Sequence, residues 1–101
     1  MSVYYSVVEV TPTSEDWIPS YIEEVTKLVA KHGGKYLART GNHKQMEGDR
    51  ESPALCVILE WPSKEAAERF MEDPAYGPHF KARTEGAVNQ HVFIEGKDDF
   101  A

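Results

Sequence analysis

Cysteine is nearly missing from this chain of 101 residues: Cys56 stands alone. No internal disulfide can form, and the usage suits a reducing compartment. Long apolar runs are missing too, and none approaches the roughly 20 residues that a membrane helix needs. The opening MSVYYSVVEV has neither the basic n-region nor the long apolar core of a signal peptide. A cytoplasmic protein is expected. Basic residues are scarce, with 11 Lys and Arg against 17 Asp and Glu for a formal charge of -6. No Lys/Arg stripe is available to displace counterions, so nucleic acid is not an expected partner, and neither is an anionic membrane. Metal motifs of the CxxC, HxH and HExxH kinds are absent. His43 and Glu47 lie four apart, but Gly41 and Gly48 beside them oppose the helix that this spacing would need. Neither a metal nor a tightly bound cofactor is expected.

What remains is an ordinary globular balance, 41% hydrophobic and 28% charged, which argues against disorder. Val3 to Val10 is β-branched and aromatic, and Thr11-Pro12 breaks it: a first strand. Thr13 or Ser14 can cap a helix after the break, and Pro19 fits an early helical position after a loose first turn. Ile18, Tyr21, Ile22, Val25, Leu28 and Val29 then recur at the spacing of a helix with one buried face. His32-Gly33-Gly34 ends it as a C-terminal stop, so the glycine pair is no phosphate loop. Lys35 to Thr40 reads as a short strand, and Gly41 to Pro53 as a polar connection. Ala54 to Trp61 is nearly all apolar, as in a central strand covered on both faces. Ser63 caps a helix from Lys64 to Glu72, which Asp73-Pro74 stops. Pro78 opens a short helix, His79 to Glu85, closed by Gly86, and Val88 to Glu95 is the last strand.

The order β-α-β-β-α-β predicts a ferredoxin-like α+β sandwich, an antiparallel sheet with its helices on one face. One domain is expected over residues 1–96, with 97–101 as a C-terminal tail. Helices on one side leave the other side wet, and such a sheet should alternate apolar and polar. It does not: Tyr4, Val8 and Val10 oppose Val3, Tyr5 and Val7, while Leu55, Val57, Leu59 and Trp61 oppose Ala54, Cys56 and Ile58. Each large side chain left wet forfeits about 1.5–3 kcal/mol of burial. Two sheets apposed in a homodimer would recover it, unless the polar connection or the tail covers that face within one chain.

Several segments also resemble one family. They are GGKYLARTG, Glu47-Gly48, VILEWPSKEAAERF, DPAYG and Arg83, and together they are similar to the bacterial domain of unknown function 1330, within the dimeric α/β-barrel superfamily. The chain departs from the family pattern at Thr40-Gly41, where two glycines are usual, at Trp61, where Phe is usual, and at Gly77, where Gln is usual. The resemblance implies a ferredoxin-like protomer and a dimer of apposed sheets. It implies no reaction, although superfamily relatives include cofactor-free monooxygenases, muconolactone isomerases and haem-binding chlorite dismutases. Fold does not fix function.

Two groups of residues are candidates for chemistry. Arg39, Glu60 and His91 interrupt apolar patterns on three different strands. On one sheet face they would form a polar cluster in an apolar cavity, with Arg39 holding a carboxylate or enolate, His91 as general acid or base, and Glu60 orienting it. Alternatively Arg39 and Glu60 are a structural ion pair and His91 is half exposed. Tyr76, His79 and Arg83 bracket the short third helix, either to close a pocket on substrate or to pack the Pro74 turn. Cys56 in its apolar strand is expected in the core rather than as a nucleophile, and Trp17 and Trp61 as packing residues. Two functions fit these residues. One is a small-molecule protein with a pocket between sheet and helices, performing cofactor-independent oxidation or isomerisation of a small organic acid or aromatic. The other is a non-catalytic dimeric ligand-binding or structural module.

Overall fold

The computed structural model describes residues 2–101. The elements run β1 (Tyr4–Pro12), α1 (Ile18–Lys31), β2 (Lys35–Thr40), β3 (Leu55–Trp61), α2 (Lys64–Glu72), α3 (Gly77–Gly86) and β4 (Ala87–Glu95). The four strands form one antiparallel sheet in the order β2-β3-β1-β4. This is the ferredoxin-like α+β architecture, with α3 added between α2 and β4. Among the described residues no helix is long and apolar enough to cross a membrane.

The ends of α1 differ in kind. Trp17, not Thr13 or Ser14, is its N-cap, and no side chain caps it. The Trp17 indole instead donates to the carbonyl of Ser14 at 2.9 Å and of Gly86 at 3.2 Å, tying the helix start to the end of α3. At the other end Gly33 takes φ +78°, its N–H reaches Ala30 at 3.0 Å, and that of Gly34 reaches Val29 at 2.8 Å. That 6→1 and 5→2 pair is a Schellman stop. Gly34 also lets the chain pass close to the core, since a Cβ there would fall 2.7 Å from Trp61 and Val29. α2 begins as expected: Ser63 Oγ accepts from the Ala66 N–H at 3.1 Å.

Directly paired residues share a face, which fixes the two sides of the sheet. Tyr4, Ser6, Val8 and Val10 of β1 face the helices with Leu55, Val57, Leu59 and Trp61 of β3. The core lies there, centred on Val29, Ala67, Phe70, Trp61 and Tyr76. Trp61, 1% exposed, is the largest of the fully buried side chains. The opposite face carries Tyr5, Val7, Ile58, Val92 and Ile94 without helical cover, so β3 is sheltered on one face only. Cys56 pairs with Glu9 and Thr40 on this outer side, half-buried and outside the core, because β3 alternates where a fully covered strand would not. The polar connection 41–53 meets the outer face where Arg50 pairs with Glu9.

Candidate functional site

β4 is the edge strand that carries His91, and its register with β1 sets His91 opposite Val8, on the helix side. There its Nε2 lies 2.9 Å from Ser6 Oγ. Ser6 is fully buried, and its oxygen already accepts the Trp61 indole N–H at 2.8 Å. A buried hydroxyl needs an acceptor for its own proton, and His91 Nε2 is the acceptor within reach. Satisfying Ser6 therefore assigns the proton of the neutral imidazole to Nδ1. Burial first, and the charge of Arg83 second, hold the His91 pKa below the usual histidine value. His91 is a neutral base at neutral pH, part of a chain running from Trp61 through Ser6.

Between this face and the helices is a cavity of about 360 Å³. Aliphatic side chains make most of its wall, and the polar groups on it are few: Ser6, Tyr21, Tyr36, Tyr76, Arg39, Arg83 and His91, with no Asp or Glu among them. Helix α3 has no apolar stripe, and it enters the core through Arg83, 5% exposed, and Gly86. The Arg83 guanidinium donates from Nε to the Tyr21 hydroxyl at 3.1 Å and from Nη2 to the Tyr76 hydroxyl at 3.3 Å, and the two hydroxyls are 3.1 Å apart. Tyr76 is held by its ring, stacked on Phe70 at 4.3 Å between centroids. Burial pushes the Tyr21 pKa far up, so its hydroxyl keeps its proton. For Arg83, burial opposes the charge, but the phenolic oxygens favour it and the net displacement is upward.

Arg39 occupies the rim. Tyr36 and Arg39 are three residues apart, yet both line the cavity, because β2 slips register between Tyr36 and Ala38. The extra residue, Leu37, turns the strand so that Arg39 pairs with Val57 on the inner face. Its guanidinium lies 3.8 Å over the Tyr36 ring and donates to Thr26 Oγ1 of α1 at 2.9 Å.

Of the residues singled out in the sequence, Arg39, His91, Tyr76 and Arg83 thus meet at one cavity, while two do not. Glu60 pairs with Tyr5 and Lys35 on the outer face, with the sheet between it and His91. His79 sits edge-on to Tyr21 at 6.4 Å and does not line the cavity. Sequence reasoning missed Ser6, Tyr21 and Tyr36 as polar members of the site. Ser6 carried a signal, as the one small polar residue inside a β-branched and aromatic strand. Among the described residues no three His, Cys, Asp or Glu side chains converge as metal ligands would.

The antiparallel ferredoxin-like sheet with its helices on one face defines a structural class that other solved proteins share. RPA0582, a protein of unknown function from Rhodopseudomonas palustris, superposes with a TM-score of 0.78 at 17% identity, covering 96% of this chain and 84% of that one. A dimeric ferredoxin-like protein of unknown function from Jannaschia sp. CCS1 gives 0.66 at 14% identity, covering 92% and 98%. SnoaB, a cofactor-independent oxygenase from Streptomyces nogalater, gives 0.65 at 17% identity, covering 97% and 96%. At these identities the likeness is one of fold. No curated protein matches the sequence. The family model for the domain of unknown function DUF1330 matches residues 3–97, and the chain belongs to that family.

Proposed function

We propose that this protein binds a small organic acid or aromatic compound in the cavity between sheet and helices, and that it works as a homodimer through its open sheet face. The cavity carries the reading: apolar walls and a few convergent polar groups are the usual make-up of a ligand site. Tyr76 and Arg83 hold the ligand from the α3 side, His79 shapes their surroundings against Tyr21, and Arg39 closes the rim. With Nε2 accepting from Ser6, His91 offers its Nδ1 proton to a ligand as a general acid. It serves as a base only where Ser6 gives up that hydrogen bond, the acid–base step shared by isomerisation and cofactor-independent oxidation. In an oxidation dioxygen would be the electron acceptor. The resemblance of fold to SnoaB is compatible with such chemistry.

One observation favours ligand binding without turnover. The carboxylate expected to orient His91, Glu60, points from the opposite face, and His91 Nδ1 has no protein partner among the hydrogen bonds of the described residues. A general base is usually oriented by a second group, and here the ligand itself would have to supply it.

The open face supports the dimer. Val88, Val92 and Ile94 are 63%, 54% and 48% exposed in the single chain, and a second sheet would cover them. The lone half-buried thiol, Cys56, fits a reducing cytoplasm. A thermal-shift screen of aromatic and hydroxy acids tests the ligand reading. Hits are expected, and Arg39→Ala should weaken ligand-induced stabilisation while leaving the unliganded melting temperature nearly unchanged, because Arg39 is exposed. An equal loss of unliganded stability would assign Arg39 to structure, and a screen without hits would remove the ligand reading.

A further inference from the structure

The Arg83 cluster has more donors than acceptors. A guanidinium only donates, and a phenol has a single proton to give. Arg83 gives Nε to Tyr21 and Nη2 to Tyr76, and one phenol gives its proton to the other. Nη1 and the second phenolic proton have no acceptor within the chain among the hydrogen bonds of the described residues. Nor does any carboxylate balance the charge, for all the ion pairs of those residues omit Arg83, in a chain with 17 acidic side chains. A nearly buried cation without a counter-ion is costly, and natural structures pair such groups. Here the wall of the cavity offers two arginines, a neutral histidine and no acid.

We infer that the ligand is an organic anion with one carboxylate or enolate, seated on the Arg83 guanidinium and the Tyr21 and Tyr76 hydroxyls, with a ring in the apolar remainder of the cavity. The inference rests on the small-molecule reading above and names the ligand class. Size narrows it: an apolar cavity of roughly 150 Å³ holds benzene, so about 360 Å³ suits a fused or substituted ring rather than a long chain. It also moves the anion anchor from Arg39, where the sequence suggested it, to Arg83. Arg39 at the exposed rim is screened by water, whereas Arg83, 5% exposed, is largely withdrawn from it and makes a stronger charge-assisted bond.

Calorimetric titration of the full chain with 2-naphthoate and its uncharged isostere 2-naphthamide tests this. Wild type should bind the acid at least about tenfold more tightly than the amide, Tyr21→Phe should narrow that ratio, and Arg83→Gln should abolish it. Equal binding of acid and amide by wild type would overturn the inference and leave the cavity reading standing. Binding of neither would overturn both. An acid preference that survives Arg83→Gln would place the anion elsewhere and overturn the inference. Should that variant fail to fold, an unchanged ratio in Tyr21→Phe overturns it equally.

Discussion

The two faces of this sheet are built from the same strands and have opposite characters. The inner face is covered by helices over its centre, with Phe93 of β4 and Arg39 of β2 exposed at its two edges. Its few polar groups are linked: Trp61 to Ser6 to His91 on one side, Arg83 to Tyr21 and Tyr76 on the other. The outer face is open, with exposed apolar side chains along β4 beside charged ones such as Glu9 and Glu60, and Arg50 is tied to Glu9 across it. The difference teaches that hydrophobicity on both sides of a sheet can answer two separate demands. One side makes a core with room in it. The other leaves apolar side chains exposed, the area that the proposed dimer would bury.

Mutations should separate the faces. The largest effect is expected at Trp61→Ala, which empties the fully buried centre of the inner face and strips Ser6 of its donor. Unfolding in urea should show a loss of about 3–5 kcal/mol, against a change within about 0.5 kcal/mol for Val92→Ala assayed on the single chain. Next comes assembly. Ile94→Glu would put an unpaired charge into the proposed interface and should weaken dimerisation by at least about a hundredfold in sedimentation equilibrium, with the far-UV spectrum unchanged. A dimer indifferent to Ile94→Glu would break the assignment of the outer face.

A smaller effect concerns pH. Because the folded-state pKa of His91 lies below its unfolded value, the unfolded chain binds more protons there and stability rises with pH. His91's share is complete above the unfolded value of about 6.5 and erodes as pH falls below it. Melting temperatures between pH 7.5 and 5 should therefore decline, and less steeply in His91→Gln. Asp73 does not blur this window. Hydrogen bonds from His32, the Ala75 N–H and Lys31 hold its carboxyl well below the usual range, so its contribution is lost only at more acid pH. The smallest effect belongs to Arg50→Ala, which removes an exposed guanidinium that grips the half-buried Glu9 carboxylate with two hydrogen bonds. A small loss of stability is expected in urea unfolding, with a midpoint shift well below that of Trp61→Ala.

Local chemistry made much of this fold legible. β2 and α2 have the bounds that their sequences predict, because Gly33-Gly34 and Ser63 act through contacts a few residues long. The start of α1 at Ile18, with Pro19 in its first turn, was legible, but its cap was not. Its anchor is the Trp17 indole on Gly86, 69 residues away, rather than a local hydroxyl. The site divided along the same line. Strand alternation puts residues two apart on one face, so nothing in the sequence of β2 says that Tyr36 and Arg39, three apart, both turn inward; the register slip at Leu37 decides that. Glu60 was misjudged for the matching reason, since its face is set by pairing with Tyr5 rather than by its interruption of an apolar run. Tyr21 and Arg83 meet only when α1 and α3 dock, so Tyr21 read as one more member of an apolar stripe.

The central claim is that the unpaired guanidinium under the helices is what a ligand meets. Observing the Arg83 Nε–H resonance by ¹⁵N–¹H NMR during addition of 2-naphthoate tests it most directly. A saturable shift of that resonance is predicted, together with shifts in the Tyr21 and Tyr76 surroundings and a much smaller response to 2-naphthamide. Shifts confined to the exposed edge of β4, or an Arg83 signal untouched by saturating acid, would contradict it.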